Sequence, residues 1–362
     1  MHIYRQYIKA KKLRRALFGK DKHSLAHVRC IYDNLGDIGV AEAINTLFRN
    51  FWIIDYSYDS KINMLEKLAN TGLLNYACLG GGTLIFSSMK AKWFLTLKEL
   101  IQRNSNLLFT CGTGVRDPLF FRSVNQDVIR EWVECLKRFR LVSVRGELSK
   151  QMLQENGIED VKVVGDPALL YSRPYIIPKK RARRIGINIS KNHPFYGNSK
   201  EETVRLFKKL ILFLINEGWA ITLFPTCRED VFLSEQLCKG LGTDAIKIHK
   251  KYWVVKSFLD EIEEQDIFIG VKLHSIIFSY CTYTPALMVA YQPKCYDFMD
   301  TMDMGDLVLR SDHLEFDTLV EKLAYLNDTT EEIQKRQYAM CQTFRQRLLE
   351  FRDQVYSIMG NM

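Results

Sequence analysis

Ile267-Phe268-Ile269-Gly270-Val271-Lys272-Leu273-His274-Ser275 decides how the rest of the chain is read. Three apolar residues of strand character run into a glycine, two titratable side chains follow, and Ser275–Tyr283 then has helical character. That is the strand–turn–helix unit of an α/β protein, in which ligands bind beyond the carboxyl ends of parallel strands. A second unit follows: Pro285–Ala290 predicts a buried strand that ends at Tyr291-Gln292-Pro293-Lys294. Adjacent strand ends would bring Lys272, His274 and Lys294 into one pocket.

Upstream the same rhythm continues. Ile185–Ser190 and Ala220–Phe224 predict strands, and Lys200–Glu217 an amphipathic helix. Before them, Ser172–Arg184 holds Pro174, Pro178 and the run Lys179-Lys180-Arg181-Ala182-Arg183-Arg184, which predicts an exposed interdomain linker. The first half repeats the pattern. Strands are expected at Val28–Tyr32, Phe51–Tyr56, Tyr76–Leu79, Asn106–Thr110, Leu141–Val144 and Val161–Val164, with helices at Val40–Arg49 and Glu147–Asn156. Three glycine-rich turns, Gly36-Asp37-Ile38-Gly39, Gly80-Gly81-Gly82-Thr83 and Gly112-Thr113-Gly114, fall at strand ends. None of them spells a dinucleotide fingerprint or a P-loop. The expected architecture is α/β and GT-B-like: two Rossmann-like, doubly wound domains facing each other across a cleft, at 28–175 and 185–340. Residues 341–362 would form a terminal helix that could pack back on the first domain.

The 362-residue length suits two domains, and 47% hydrophobic with 26% charged residues is ordinary for a globular chain. The apolar stretch Ile267–Tyr291 is interrupted by Lys272, His274 and Pro285, so it does not read as a membrane span. Nine cysteines lie scattered without a CxxC pair, which predicts reduced buried thiols and no zinc site. Clustered metal-ligand spacing is absent, so neither a metal nor a cofactor is expected.

The net charge of +9 is concentrated at the start of the chain. Residues 1–30 hold nine basic residues against Asp21 alone, and residues 1–27 read as a basic amphipathic arm. Its apolar stripe and the cations Lys11, Lys12, Arg14 and Arg15 suit an anionic membrane surface; a helix packed on the domain is the other reading. Nucleic acid is not expected, because no recognised binding fold accompanies the charge.

Arg145, at the end of Leu141–Val144, reads as an anion clamp, since a planar guanidinium matches carboxylate and phosphate. Lys272 and His274, two residues apart across a turn, can reach one anion, and a histidine suits acid–base work. With Lys294 they predict a small ligand of several negative charges.

Six elements in order resemble the polysaccharide pyruvyltransferase family: Asn34-Leu35-Gly36-Asp37, Leu79-Gly80-Gly81-Gly82-Thr83, Ser143-Val144-Arg145, Asp166-Pro167, Gly270-Val271-Lys272-Leu273-His274-Ser275 and Tyr291-Gln292-Pro293-Lys294. The likeness runs from about Asn34 to Asp303. It implies phosphoenolpyruvate as donor, bound by Arg145, Lys272, Leu273, His274 and Lys294. It also implies a sugar acceptor, held by Asp37, Gly81, Gly82 and Thr83, with His274 and Asp37 as the catalytic pair. The acceptor would be a polyprenyl-pyrophosphate-linked precursor of a surface polysaccharide, met at the inner face of the cytoplasmic membrane of a bacterium. Two positions depart from the family pattern: its signature arginine is Lys272, and the aspartate expected after Arg145 is Gly146. A nucleotide-sugar glycosyltransferase, or a non-catalytic glycan- or lipid-binding member, would share the architecture.

Overall fold

Nearly every apolar segment identified above becomes a parallel strand. The computed structural model describes residues 24–29, 34–55, 76–102, 107–190, 194–239, 241 and 245–360. The first half holds β1 (Ser24–Val28), α1 (Leu35–Leu47), β2 (Trp52–Asp55), β3 (Tyr76–Gly80), β4 (Thr83–Ile85), α2 (Lys92–Gln102), β5 (Leu107–Cys111), β6 (Gly114–Val115), α3 (Gln126–Leu136), β7 (Val142–Val144), α4 (Glu147–Glu155) and β8 (Val161–Val163). The second holds β9 (Arg184–Asn188), α5 (Lys200–Asn216), β10 (Ala220–Leu223), α6 (Arg228–Cys238), β11 (Ile246–Ile248), α7 (Val255–Glu263), β12 (Ile267–Gly270), α8 (Leu273–Cys281), β13 (Ala286–Ala290), α9 (Pro293–Thr301), β14 (Val308–Arg310), α10 (Phe316–Asp328) and α11 (Thr330–Gly360).

The second half is one six-stranded sheet in the order β11-β10-β9-β12-β13-β14, parallel throughout. Its central strands are buried from end to end, as a sheet covered by helices on both faces demands. The first half has a parallel four-stranded sheet, β2-β1-β3-β5. It continues through a bridge between Phe109 and Leu141 to the parallel pair β7-β8. Each order reverses once, between β1 and β3 in one half and between β9 and β12 in the other. At such switch points the connections leave in opposite directions and open a crevice.

The two halves touch closely along α1. A Cβ on Gly36 would lie 2.1 Å from Nδ1 of His274, and one on Gly39 would lie 2.7 Å from the Phe278 ring. These glycines therefore let α1 approach α8 of the other half. They lie inside the helix and not, as expected, in a turn before it: Asn34 is the N-cap, accepting from the Asp37 N–H at 3.0 Å, and the helix starts at Leu35. The side-chain cap decides the start, because it satisfies a donor the first turn leaves open.

Other boundaries also move. The first strand is Ser24–Val28, earlier than the expected Val28–Tyr32, and the helix after β12 begins at Leu273. The segment before β9 is tacked onto the second half: Arg173 pairs with Asp260 and Glu263 at 2.8 Å each, and Lys179 donates to Thr284 and to the Glu263 carbonyl. The final helix spans both halves. Gln334 donates to the carbonyls of Ile177 and Tyr283, while Tyr356 stacks on Phe51 at 5.3 Å and Phe351 meets Phe109. Among the described cysteines all are free, and every one but the half-buried Cys238 is buried. No helix among the described residues is long and apolar enough to cross a membrane. The arm cations Lys11, Lys12, Arg14 and Arg15 lie outside the described residues.

Candidate functional site

The two switch points face each other, and titratable side chains gather between them. In the second half Lys272 ends the turn after β12, and its backbone N–H donates to the Asn188 side chain at 2.8 Å. Its Nζ lies 3.2 Å from Asp230 Oδ2 and 3.1 Å from Cys227 Sγ. Burial works against the ammonium, but Asp230 and Cys227 outweigh it and hold its pKa above the ordinary lysine value. Burial also pushes the Cys227 thiol up to about 11, which leaves it protonated.

His274, in the first turn of α8, sits between α1 and the Asp166 loop. Its Nε2 is 3.7 Å from Asp166 Oδ2, and neither atom has a hydrogen-bond partner. Burial lowers its pKa to about 3, helped by the charges of Arg145, Lys294 and Lys272, so the ring is neutral. Lys294, in the first turn of α9, lies 4.9 Å over the Tyr291 ring. Burial lowers its pKa to about 8. Leu273 is 2% exposed and belongs to the core.

Arg145 is buried to 1% exposure, so it is no surface salt bridge. Its two terminal nitrogens face Asp166 at 3.9 Å and Asp297 at 3.6 Å, and Nε has no partner. The pKa of Asp166 is raised to about 6 by burial, against the pull of Arg145. Asp297 also accepts from Ser149, from N–H at 3.0 Å and from Oγ at 2.7 Å. A Cβ on Gly146 would come within 2.3 Å of both the carbonyl and the carboxylate of Asp297. The space an aspartate at 146 would need is therefore filled by α9, and a carboxylate of that helix stands beside Arg145.

Across the cleft, Asp37 accepts from Asn34 Nδ2 at 2.6 Å. Burial raises its pKa to about 6, opposed first by Arg29 and more weakly by Lys294 and Lys272. A small crevice is lined by Arg29, Asp37, Val40, Gly80, Gly81 and Gly82, at the ends of β1 and β3. Asp37, Gly81 and Gly82 thus share a crevice. Thr83 is not in its lining; the Thr83 hydroxyl faces an Arg145 nitrogen at 3.5 Å.

His274, Lys272 and Lys294 come together as the strand ends suggested, with Arg145 beside them, and the charges of Lys294 and Lys272 reach Asp37 from the other half. Sequence reasoning missed Asp230, Asp297 and Arg29. The two aspartates sit inside helices with no motif around them, and Arg29 was counted with the basic arm although it lines the crevice. Asp166 shows in the sequence only as half of an Asp-Pro element, with no local signal of its place beside His274.

With this geometry established, residues 28–293 match the family described as polysaccharide pyruvyl transferase. The chain belongs to that family. It is 24% identical over 223 residues to the amylovoran biosynthesis protein AmsJ of Erwinia amylovora, covering 55% of this chain. The match takes in 54% of AmsJ, so the chain spans about half the length of that curated relative.

Solved structures share the GT-B fold at low identity. A glycosyltransferase from Rickettsia africae superposes with a TM-score of 0.54 at 13% identity, covering 94% of this chain and 100% of that one. Anabaena Alr3699/HepE, solved with UDP and glucose, gives 0.52 at 11% identity over 94% of this chain and 100% of that one. Staphylococcus aureus MnaA, solved with UDP, gives 0.56 at 11% identity over 87% of this chain and 90% of that one.

The ammonium of Lys272 lies between Asp230 and Cys227, so a positive charge is kept at this position without a guanidinium fork.

Proposed function

We propose that this chain moves the enolpyruvyl unit of phosphoenolpyruvate onto two hydroxyls of a sugar, as a cyclic ketal. One observation carries the reading: Arg145, Lys294 and neutral His274 converge at one switch point, opposite Asp37 at the other. A donor with a carboxylate and a phosphate suits the cations, and a hydroxyl-bearing acceptor suits a carboxylate whose pKa is about 6.

The chemistry balances with two protons. His274 hands one to the methylene carbon of the enol, which becomes a methyl group and leaves the neighbouring carbon electrophilic. One hydroxyl oxygen bonds to that carbon, and the carbon–oxygen bond to phosphate breaks with its electron pair going to phosphate. The second hydroxyl closes the ring. Of the two hydroxyl protons, one restores His274 and one leaves with phosphate. Asp37 relays the proton that leaves with phosphate, and Arg145 and Lys294 offset charge on the departing phosphate. With a pKa of about 3, His274 is neutral before the donor binds. Burial is the first cause, and the charges of Arg145, Lys294 and Lys272 add to it; donor anions beside the ring would offset that charge and favour its protonation.

The acceptor is a lipid-linked precursor of a surface polysaccharide, and the basic arm brings the enzyme to the cytoplasmic face of the membrane. Deleting residues 1–22 should weaken flotation with anionic liposomes; unchanged flotation removes this part of the reading.

The decisive measurement is thermal unfolding with millimolar phosphoenolpyruvate. A ligand that binds only the folded state raises the midpoint, by about 2.7 kcal/mol of stability at 100 times Kd. A rise in the parent that shrinks in His274→Ala supports the donor assignment. No rise, with or without a sugar acceptor, while a nucleotide sugar does raise the midpoint, overturns it.

A further inference from the structure

The helix α4, which follows Arg145, begins without a cap of its own. Its N-cap is Gly146, which has no side chain to accept from the open N–H groups of the first turn. Two side chains of α9, in the other half of the molecule, accept instead. Asp297 Oδ1 accepts from the Ser149 N–H at 3.0 Å, and Thr301 Oγ1 accepts from the Glu147 N–H at 2.9 Å. Asp297 and Thr301 are four residues apart, on one face of α9. Thr301 is itself anchored, donating to the Asp297 carbonyl at 2.6 Å. The carboxylate of Asp297 is 3% exposed, and a negative group at a helix N-terminus is favoured by the helix dipole.

The same carboxylate faces Arg145 at 3.6 Å, and Lys294 lies one turn earlier on the same helix. One residue therefore ties α9, which carries Lys294, to the turn that carries Arg145. We propose that Asp297 is a positioning residue: it caps α4 from the opposite half and so holds Arg145 and Lys294 in register across the cleft as a single anion site. Gly146 is the matching half of the device. Any side chain there would strike the carbonyl and carboxylate of Asp297 and push α9 away.

The capping part stands on geometry alone; the anion-site part rests on the proposed donor. Asp297→Ala should lower the ligand-free unfolding midpoint by roughly 1–8 °C, and weaken phosphoenolpyruvate about tenfold in a titration of the midpoint. Asp297→Asn keeps an oxygen for the Ser149 N–H and should recover most of the ligand-free midpoint. Thr301→Val should shift both readouts the same way by less, and Gly146→Ala should reproduce Asp297→Ala. Adding Asp297→Ala to Lys294→Met should weaken the ligand by less than the two single effects combined, because the two changes act through one site.

Asp297→Ala with a lowered midpoint but ligand affinity within twofold of the parent would reduce Asp297 to a structural latch and overturn the positioning claim. An unchanged ligand-free midpoint would overturn the cap itself. If the parent protein shows no response to phosphoenolpyruvate, the donor reading has failed, while the ligand-free comparison of Asp297→Ala with Asp297→Asn still decides the cap.

Discussion

The turns after β12 and β13 each present a lysine to the same cleft, and the two lysines have opposite fates. Lys272 lies against Asp230 and Cys227, and its charge is stabilised where it sits. Lys294 lies over the Tyr291 ring, with its pKa pulled down to about 8 by burial. The first has its counterion inside the fold; the second gains most from one that arrives. The difference comes from the neighbours: α6 places a buried aspartate at the first turn's lysine, whereas Asp37, which favours the charge of Lys294, sits across the cleft in the other half.

The largest test of that contrast is Asp230→Ala. It would leave Lys272 charged, buried and unpaired, at a cost of about 3–5 kcal/mol in urea unfolding. A loss below about 1 kcal/mol would mean that Lys272 is not balanced internally.

Asp37→Asn tests the carboxylate opposite Lys294. The folded pKa of Asp37, about 6, lies above its ordinary 3.8, so the stability tied to its protonated form is complete below 3.8 and lost as pH rises through 6. Asn cannot ionise, so the substitution should stabilise the protein by about 3 kcal/mol at pH 8 and by nothing near pH 3.5. A pH-independent difference would show that Asp37 titrates normally.

Lys294→Met should weaken phosphoenolpyruvate by ~10–100-fold, about 1.4–2.7 kcal/mol. The folded pKa of Lys294 is lowered, so its penalty grows as pH falls from 10.5 through 8. At pH 7 the methionine variant should therefore unfold at a midpoint no lower than the parent's. A large ligand-free loss would put Lys294 in the same class as Lys272.

The smallest effect is expected for Lys272→Arg, within about 1 kcal/mol in stability and with the ligand response kept, since the charge beside Asp230 is preserved. Loss of the ligand response there would bring Lys272 into the anion site after all.

The strands were legible because apolar runs bounded by glycine and polar residues have few other ways to hide, and Lys272, His274 and Lys294 were legible because they close such runs. Helix starts were less so. Asn34 caps α1 three residues before Asp37, and the glycines that suggested a loop serve helix packing. Local pattern thus determined that this chain folds as two parallel α/β halves with basic strand ends facing a cleft. Which charges are spent inside the fold was decided only by tertiary structure. Asp230 reaches Lys272 from 42 residues away in sequence, and Asp297 reaches Ser149 from 148. The physical reason is that a buried charge is stabilised or stranded by whatever lies within a few ångströms, and sequence distance carries no trace of that neighbour.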